Sequence, residues 1–318
     1  MPRILITGAT GLVGRALCPL LAEAGYRLRA ALREDAQLPG CIAEKAVVGD
    51  IGAATEWERA LADVDMVLHA AARAHVPDDS PENLNLYEAV NAHGTRQLAQ
   101  AAVLAGVQRF VYLSSIKVNG DATVQRPYAA SDLPNPVDSY GKSKLQGERY
   151  LQLATAGSSM EPVIVRPPLV YGPGVRANFL RLMRWVDREY PLPFGAVCNR
   201  RSLVSVWNLN ALIVKLLVHP QAAGAVWLVN DGEDLSTPEL VRRIARAMGR
   251  RAHLPRVPPL LLRACANVAG RTAELSRLTG SLVVDASPAR KLLDWRPALG
   301  VDEGLARTAA WYRAQWPA

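Results

Sequence analysis

Short apolar runs alternate with helix-length segments through the first half of the chain. The runs have the length of strands and are apolar at nearly every position, which is typical of parallel strands covered on both faces. The pattern predicts strands at Arg3–Thr7, Arg27–Leu32, Lys45–Val48, Met66–His69, Arg109–Ser114 and Pro162–Val165, and helices at Gly11–Ala24, Trp57–Ala62, Tyr87–Ala105 and Ser139–Ala154. It therefore indicates an α/β fold of the Rossmann type, with a doubly wound parallel sheet.

The alternation changes after about Val170, where the strong turn sequences Tyr171–Gly174 and Pro191–Gly195 interrupt it. Strand and helix patterns return between Leu203 and Val229, and Ser236 begins a capped helix. We expect residues 1–170 to form the larger domain, with a returning segment at about 203–230. Residues 171–202 and 231–318 are expected to form a smaller C-terminal lobe.

Composition and charge indicate which classes of binding partner to expect. The chain has 318 residues, half of them hydrophobic, and a formal net charge of +8. Its basic residues are scattered and not interleaved with aromatic ones, so we expect no nucleic-acid partner. The four cysteines form no metal-binding spacing, so no metal site is predicted. The apolar stretch Pro258 to Gly270 contains Arg263 and Asn267 and is too short to span a bilayer. No signal peptide is recognised either, so we expect a cytoplasmic protein without a membrane partner.

A glycine-rich turn joins the first predicted strand to the first helix. Gly8, Gly11 and Gly14 allow a tight turn, a close backbone approach to a pyrophosphate, and close packing of helix on strand. The following helix N-terminus offers unpaired N–H groups and a partial positive charge. The turn therefore predicts a dinucleotide site.

The end of the second predicted strand bears on which dinucleotide binds. An acidic residue there would bind the ribose hydroxyls of NAD, but the chain has Leu32 followed by Arg33, which could pair with the 2′-phosphate of NADP. This favours NADP(H), with NAD(H) possible if Glu34 or Asp35 binds the ribose. Asp50 is a candidate for the adenine amine, or else an ordinary turn residue.

Tyr140 and Lys144 are four residues apart, a spacing that places both on one face of a helix. A neighbouring cation favours the phenolate form of a tyrosine, which can then exchange a proton with a substrate hydroxyl. Ser114 and Ser115 end an apolar strand that should face the same crevice, where a hydroxyl can hold the substrate oxygen.

The glycine turn, the strand-end serines and the Tyr140/Lys144 pair, in this order, resemble the extended short-chain dehydrogenase/reductases, specifically their nucleotide-sugar epimerase, dehydratase and reductase branch. The resemblance implies that Ser115, Tyr140 and Lys144 are catalytic and that the smaller lobe binds a UDP-sugar. It implies a homodimer through the helices Tyr87–Ala105 and Ser139–Ala154. The predicted cofactor residues are Gly8, Thr10, Gly11, Leu12, Val13, Arg33, Asp50, Ile51, Ala70, Ala71, Ala72, Asn91, Ser114, Tyr140, Lys144 and Pro167, and the predicted substrate residues are His75, Ser115, Lys117, Asn178 and Arg201.

Two of these substrate residues have alternative interpretations. Arg201 matches the family arginine that contacts the nucleotide diphosphate, since a guanidinium can bind two oxygens at once, but it could be a surface cation. Asn178 could reach the uracil or diphosphate, or could be a helix N-cap.

The resemblance also narrows the reaction. Dehydratases of this branch carry an Asp-Glu pair after the catalytic Ser or Thr, where this chain has Ile116 and Lys117, so a dehydratase is not expected. The favoured hypothesis is an NADPH-dependent reductase of a UDP-4-keto-6-deoxy-N-acetylhexosamine in O-antigen biosynthesis. The alternatives are a UDP-sugar 4-epimerase with bound NAD and a non-catalytic dinucleotide sensor.

Overall fold

In the computed structural model, which describes residues 1–74, 81–270 and 272–316, two sheets organise the chain. The strands are β1 (Arg3–Thr7), β2 (Arg27–Leu32), β3 (Glu44–Val47), β4 (Met66–His69), β5 (Arg109–Leu113), β6 (Glu161–Arg166), β7 (Leu169–Tyr171), β8 (Arg201–Ser205), β9 (Val226–Leu228) and β10 (Asp234–Leu235). The larger sheet has seven parallel strands in the order β3-β2-β1-β4-β5-β6-β9. This is the Rossmann-type parallel sheet that the apolar runs predict.

The helices are α1 (Leu12–Glu23), α2 (Glu58–Leu61), α3 (Pro81–Tyr87), α4 (Thr95–Leu104), α5 (Ser139–Thr155), α6 (Ala177–Asp187), α7 (Val206–Val218), α8 (Thr237–Met248), α9 (Pro259–Val268), α10 (Thr272–Thr279), α11 (Ser287–Leu292) and α12 (Val301–Gln315). Helices α1 and α7 cover one face of the larger sheet, where Ile4, Ile6 and Val111 pack against Leu17 and Leu212. Helices α4 and α5 cover the other face, where Leu5, Val67 and Phe110 pack against Leu98 and Leu151.

A second core lies in the C-terminal part of the chain. Strands β7 and β8 are parallel, and β10 pairs antiparallel with β8. Phe179 of α6, Ile244 of α8 and Tyr312 of α12 are buried together beside this small sheet. None of the described helices is long and apolar enough to cross a membrane.

The predicted helix Tyr87–Ala105 differs from the observed backbone. Residues Glu88–Gly94 form a π-helix, which joins α3 to α4 without a break. A π-helix shifts the backbone hydrogen bonds by one residue, and such segments often occur at functional sites. A 3₁₀-helix, Ile116–Val118, similarly follows β5, where Ser115 is its N-cap.

Candidate active site

The glycine turn lies at the carboxyl end of β1, and its shape depends on missing side chains. Gly8 has a φ of +74°, and a Cβ there would lie 2.7 Å from the backbone nitrogen of Ala71. A Cβ on Gly14 would lie 2.2 Å from the carbonyl oxygen of Gly8. Helix α1 then begins with Gly11 as its N-cap and no side-chain cap, so its first N–H groups are left for an anion. The turn has the form of a pyrophosphate cradle.

A buried hydroxyl–imidazole network lies beneath this cradle. The Oγ1 of Thr7 is 2.7 Å from Nδ1 of His69 and accepts from the backbone N–H of Ala71 at 3.1 Å. Nε2 of His69 is 3.0 Å from Oγ1 of Thr95. Burial, and then the nearby Lys144, lowers the pKa of His69 to about 3, so its imidazole is neutral. The network fixes the segment after β4, where Ala70, Ala71 and Ala72 are the predicted cofactor contacts.

Ser115, Tyr140 and Lys144 come together between the end of β5 and the start of α5. Asp138 caps α5 by accepting from the N–H of Gly141 at 2.8 Å, and this fixes the first turn, which carries Tyr140. Burial raises the pKa of Tyr140 to about 12, although a hydrogen bond with Ser115 opposes this shift. Burial lowers the pKa of Lys144 to about 7. Without a ligand, burial therefore favours the neutral form of both groups.

Lys144 is the group that most clearly lacks a partner. Its side chain is buried, its Nζ lies 4.1 Å from the ring centre of Tyr112, and that nitrogen has no hydrogen-bond partner among the residues described. A buried amino group that lacks a hydrogen-bond partner, beside a phosphate cradle, fits a sugar hydroxyl of a dinucleotide. The site therefore fits a nicotinamide dinucleotide, held by the glycine turn at one end and Lys144 at the other.

The π-helix positions Asn91 against the catalytic helix. The side-chain amide of Asn91 accepts from the backbone N–H of Arg73 and donates to the carbonyl oxygen of Arg73, each at 2.9 Å. It also donates to Oγ of Ser143 at 3.0 Å. The backbone carbonyl oxygen of Asn91 accepts from the Thr95 hydroxyl at 2.8 Å and from the Tyr112 hydroxyl at 3.2 Å. Asn91 thereby connects the segment after β4 to α5, one residue before Lys144.

A buried ion pair holds the other side of α5. Glu148 accepts two hydrogen bonds from Arg166, at 2.9 and 2.6 Å, and a third from the Ser114 hydroxyl. Arg166 also donates to Oδ1 of Asn119 at 2.9 Å. Since Glu148 lies one helical turn after Lys144, this network fixes α5 to the ends of β5 and β6. The adjacent Pro167 accepts from the N–H of Ile116 at 3.0 Å and so fixes the 3₁₀-helix.

The end of β2 holds an exposed ion pair. Nε of Arg33 lies 2.9 Å from Oδ1 of Asp50, and both side chains are largely in solvent. The two residues proposed for the adenosine end of the cofactor thus pair with each other. Ile51 comes next and packs close to Gly94 of the π-helix, where a Cβ would lie 2.5 Å from its methyl group.

The structure brings together two of the predicted substrate residues. Nζ of Lys117 lies 2.5 Å from Asp121 and 3.3 Å from Asp138. Arg201, at the start of β8, donates to the carbonyl of Gly280 at 2.9 Å. The guanidinium of Arg201 also interacts electrostatically with the carboxylate of Asp121. Arg201 is half-buried, so it is not a free surface cation. Lys117, which follows β5, and Arg201, at the start of β8, therefore both interact with Asp121.

Two other predicted substrate residues have different outcomes. Asn178 is exposed, and its Oδ1 accepts from Arg181 at 3.0 Å. Its interpretation as a helix N-cap is wrong, because α6 begins at Ala177 and Arg176 precedes it. His75 lies outside the residues that the structure describes.

Sequence reasoning missed Glu148, Thr7 and Thr95. Glu148 has a sequence signal, since it follows Lys144 at the same helical spacing that joins Lys144 to Tyr140. Thr7 and Thr95 have none, because their hydroxyls meet His69 only once the fold is formed. Within the described part of the chain, no group of three His, Cys, Asp or Glu side chains could hold a metal ion.

Comparisons with known proteins find related sequences along most of the chain. A family model of the NAD dependent epimerase/dehydratase family matches residues 4–230. The chain is 45% identical over 315 residues to a UDP-glucose 4-epimerase of Vibrio cholerae, covering 97% of this chain and 95% of that protein. It is 31% identical to a ceramide reductase of Caulobacter vibrioides, covering 98% of this chain and 94% of that one.

The fold is also found among solved structures. MoeE5 in complex with UDP-glucose and NAD superposes with a TM-score of 0.80 at 26% identity, covering 98% of this chain and 99% of that one. The similarity therefore extends over both the larger sheet and the smaller lobe.

Proposed function

Since the chain belongs to the NAD dependent epimerase/dehydratase family, we propose that it interconverts the C4 epimers of a UDP-hexose with a bound NAD. The observation that carries the proposal is the Ser115–Tyr140–Lys144 cluster beside the glycine turn, in a chain 45% identical to a UDP-glucose 4-epimerase. The complex of MoeE5 with UDP-glucose and NAD supports the same substrate class and cofactor.

The residues of this chain have separate roles in such a reaction. The bound nicotinamide would supply a reversible hydride acceptor at C4. Tyr140 takes the proton of the C4 hydroxyl as that carbon is oxidised and returns it as the carbon is reduced. Ser115 holds the same oxygen by a hydrogen bond, and Lys144 favours the tyrosinate by its charge. Arg201 and Lys117 are the cations that would bind the diphosphate.

Protonation explains why the cluster needs its ligands. In the unliganded site, burial raises the pKa of Tyr140 to about 12 and lowers that of Lys144 to about 7. Ribose hydroxyls would give Lys144 acceptors, favour its charged form, and so favour the tyrosinate. We infer that the tyrosine becomes a competent base only in the liganded site.

Purified protein tests the proposal. We expect NAD to be released on denaturation and UDP-glucose and UDP-galactose, or their N-acetylated forms, to interconvert with no added cofactor. A Tyr140→Phe protein that still holds NAD is the matched control and should show no interconversion above background. If no UDP-hexose pair interconverts in NAD-loaded protein, the epimerase proposal is wrong.

A second candidate function is the NADPH-dependent reduction of a UDP-4-keto-6-deoxy-N-acetylhexosamine for O-antigen synthesis. The end of β2 favours it, because Leu32 carries no carboxylate for a ribose and the exposed Arg33 could exchange Asp50 for a 2′-phosphate. The chain is similar to a ceramide reductase, and this relative supports a net reduction as the reaction. Consumption of NADPH in stoichiometric amounts with the keto sugar would favour this candidate over the epimerase. The Arg33→Ala variant should consume NADPH more slowly.

A further inference from the structure

Helix α9 exposes an apolar face that neither the core nor the active site uses. Leu260 is 79% exposed, Leu261 55% and Val268 92%. At 3.6 residues per turn, these residues and the exposed Ala264 and Cys265 fall within an arc of about 140°. We call this set the α9 face.

The opposite side of α9 anchors it to the lobe. Leu262 is the buried residue of this helix, and it lies in the lobe core with the partly buried Leu275 and Leu278 of α10. Arg263 and Asn267 lie between the anchored side and the α9 face on the helical wheel. The α9 face therefore points away from the body of the protein, with a guanidinium along one border.

The chain around α9 carries charge of one sign. Residues 240–273 contain no Asp or Glu. Within this tract, Arg256 and Arg263 are exposed, and neither has an ion-pair partner among the described residues. The arginines of the tract are Arg242, Arg243, Arg246, Arg250, Arg251, Arg256, Arg263 and Arg271.

An exposed apolar helix face bordered by unpaired arginines matches the chemistry of an anionic lipid surface. The apolar side chains would enter the boundary between headgroups and acyl chains, and the guanidinium groups would meet the phosphates. A second copy of the chain fits less well, because it would bring the same basic tract against itself. A nucleic acid would leave the leucines without a role.

We infer that α9 docks the protein on an anionic membrane surface, with the α9 face in the interface and Arg256 and Arg263 against the phosphates. The helix is too short to span, so the docking is peripheral and reversible. It would hold Arg201, which lies in the same lobe, close to the membrane. This inference is independent of which C4 reaction the protein catalyses.

Vesicle flotation tests the docking directly. Wild-type protein is expected to float with phosphatidylglycerol-containing vesicles at low salt and not with pure phosphatidylcholine vesicles. The variant Leu260→Ser/Leu261→Ser/Val268→Ser should lose binding by about tenfold or more, and Arg256→Gln/Arg263→Gln should lose it to a similar degree and weaken its salt dependence.

A matched control removes two exposed apolar side chains elsewhere. Val218 and Leu292 are 59% and 50% exposed, on α7 and α11, and Val218→Ser/Leu292→Ser should float as wild type does. Unchanged thermal unfolding midpoints show that the variants fold. The inference is overturned if wild type does not float with anionic vesicles, or if the triple serine variant floats equally well. It is also overturned if that variant only converts a dimer to a monomer in light scattering.

The native cysteines give a second measurement. Cys265 lies on the α9 face, and Cys198 is exposed in the same lobe. An environment-sensitive fluorophore on Cys265, in a Cys41→Ser/Cys198→Ser protein, should shift to the blue with anionic vesicles. The same fluorophore at the exposed end of α7, on Val218→Cys in a Cys41→Ser/Cys198→Ser/Cys265→Ser protein, should not shift. Equal shifts at both sites would mean that α9 is not the docking element.

Discussion

At the scale of single residues, the chemistry of the site depends on the hydroxyl of Tyr140. Tyr140→Phe removes the proton that must move, while the ring and its packing against Tyr87 stay. We expect kcat to fall by about 10²- to 10⁴-fold. NAD affinity should change little, because the glycine turn and Lys144 are intact. Steady-state kinetics together with NAD titration checks this, and a variant with wild-type kcat would remove Tyr140 from the proposed role.

Lys144 gives a second residue-scale prediction, which concerns stability. Its pKa is lowered from 10.5 to about 7 by burial, so between these values the unfolded chain binds more protons than the cofactor-free folded protein. The free energy of unfolding should therefore rise as the pH rises from about 7 towards 10, while below pH 7 the penalty is fully present. Lys144→Met should be more stable than wild type by roughly 3 to 5 kcal/mol at pH 7 or below, a difference that shrinks above it.

Urea unfolding of the cofactor-free proteins at several pH values measures this difference. Lys142→Met is the matched control, since Lys142 lies on the same helix with its side chain in solvent. The burial argument is wrong if both methionine variants show the same dependence on pH.

At the scale of elements, the approach of α5 to the π-helix depends on Gly147. A Cβ there would lie 2.4 Å from the carbonyl oxygen of Asn91 and 2.5 Å from the Tyr112 hydroxyl. Gly147→Ala should therefore cost about 1 to 3 kcal/mol, although alanine favours helices. It should also lower kcat, because α5 carries Tyr140 and Lys144. Gln152→Ala, on the exposed side of α5, is the control and should be neutral in both measurements.

The ion pair between α5 and β6 gives another element-scale prediction. Arg166→Met leaves the carboxylate of Glu148 buried, with Ser114 as its one remaining hydrogen-bond partner among the described residues. We expect a loss of about 3 to 5 kcal/mol in the free energy of unfolding. The double variant Arg166→Met/Glu148→Leu should recover part of it, since no charge is then left buried. Chemical denaturation of the two single variants and the double variant measures the coupling, and additive losses would argue against a direct pair.

At the scale of the whole molecule, the sequence predicts the larger sheet well and the contacts between distant segments poorly. Apolar runs and the four-residue spacing of Tyr140 and Lys144 are local signals, so β1 to β6 and the placing of this pair on one helix follow from them. The π-helix does not, because periodicity cannot distinguish its hydrogen bonds from those of an α-helix. Arg33 and Asp50 lie in separate loops, so the sequence alone does not show that the guanidinium of Arg33 forms an ion pair with Asp50.

The junction of the two sheets is also a contact between distant segments, and it depends on Asp231. This buried carboxylate accepts from the N–H of Ser205 at 2.9 Å, from Asn208 at 2.7 Å and from the Tyr171 hydroxyl at 2.7 Å. Asn208 in turn donates to the carbonyl of Leu299 at 2.8 Å, just before α12. One side chain thus joins the segment after β9 to β7, α7 and the C-terminal part of the chain.

Asp231→Ala should therefore weaken the whole molecule, because it removes the buried acceptor that Ser205, Asn208 and Tyr171 share. We expect a loss of at least about 3 kcal/mol and a broader thermal transition, since the smaller lobe would separate from the larger sheet before global unfolding. Glu233→Ala, in the same turn but in a half-exposed pair with Arg243, should change the free energy of unfolding by no more than about 1 kcal/mol. Calorimetry of the two variants compares these outcomes. Because Arg201 lies in the lobe and Tyr140 on α5, which packs on the larger sheet, the Asp231 variant should also raise the KM for the nucleotide sugar before it lowers kcat. An unchanged KM would mean that the junction does not position the substrate.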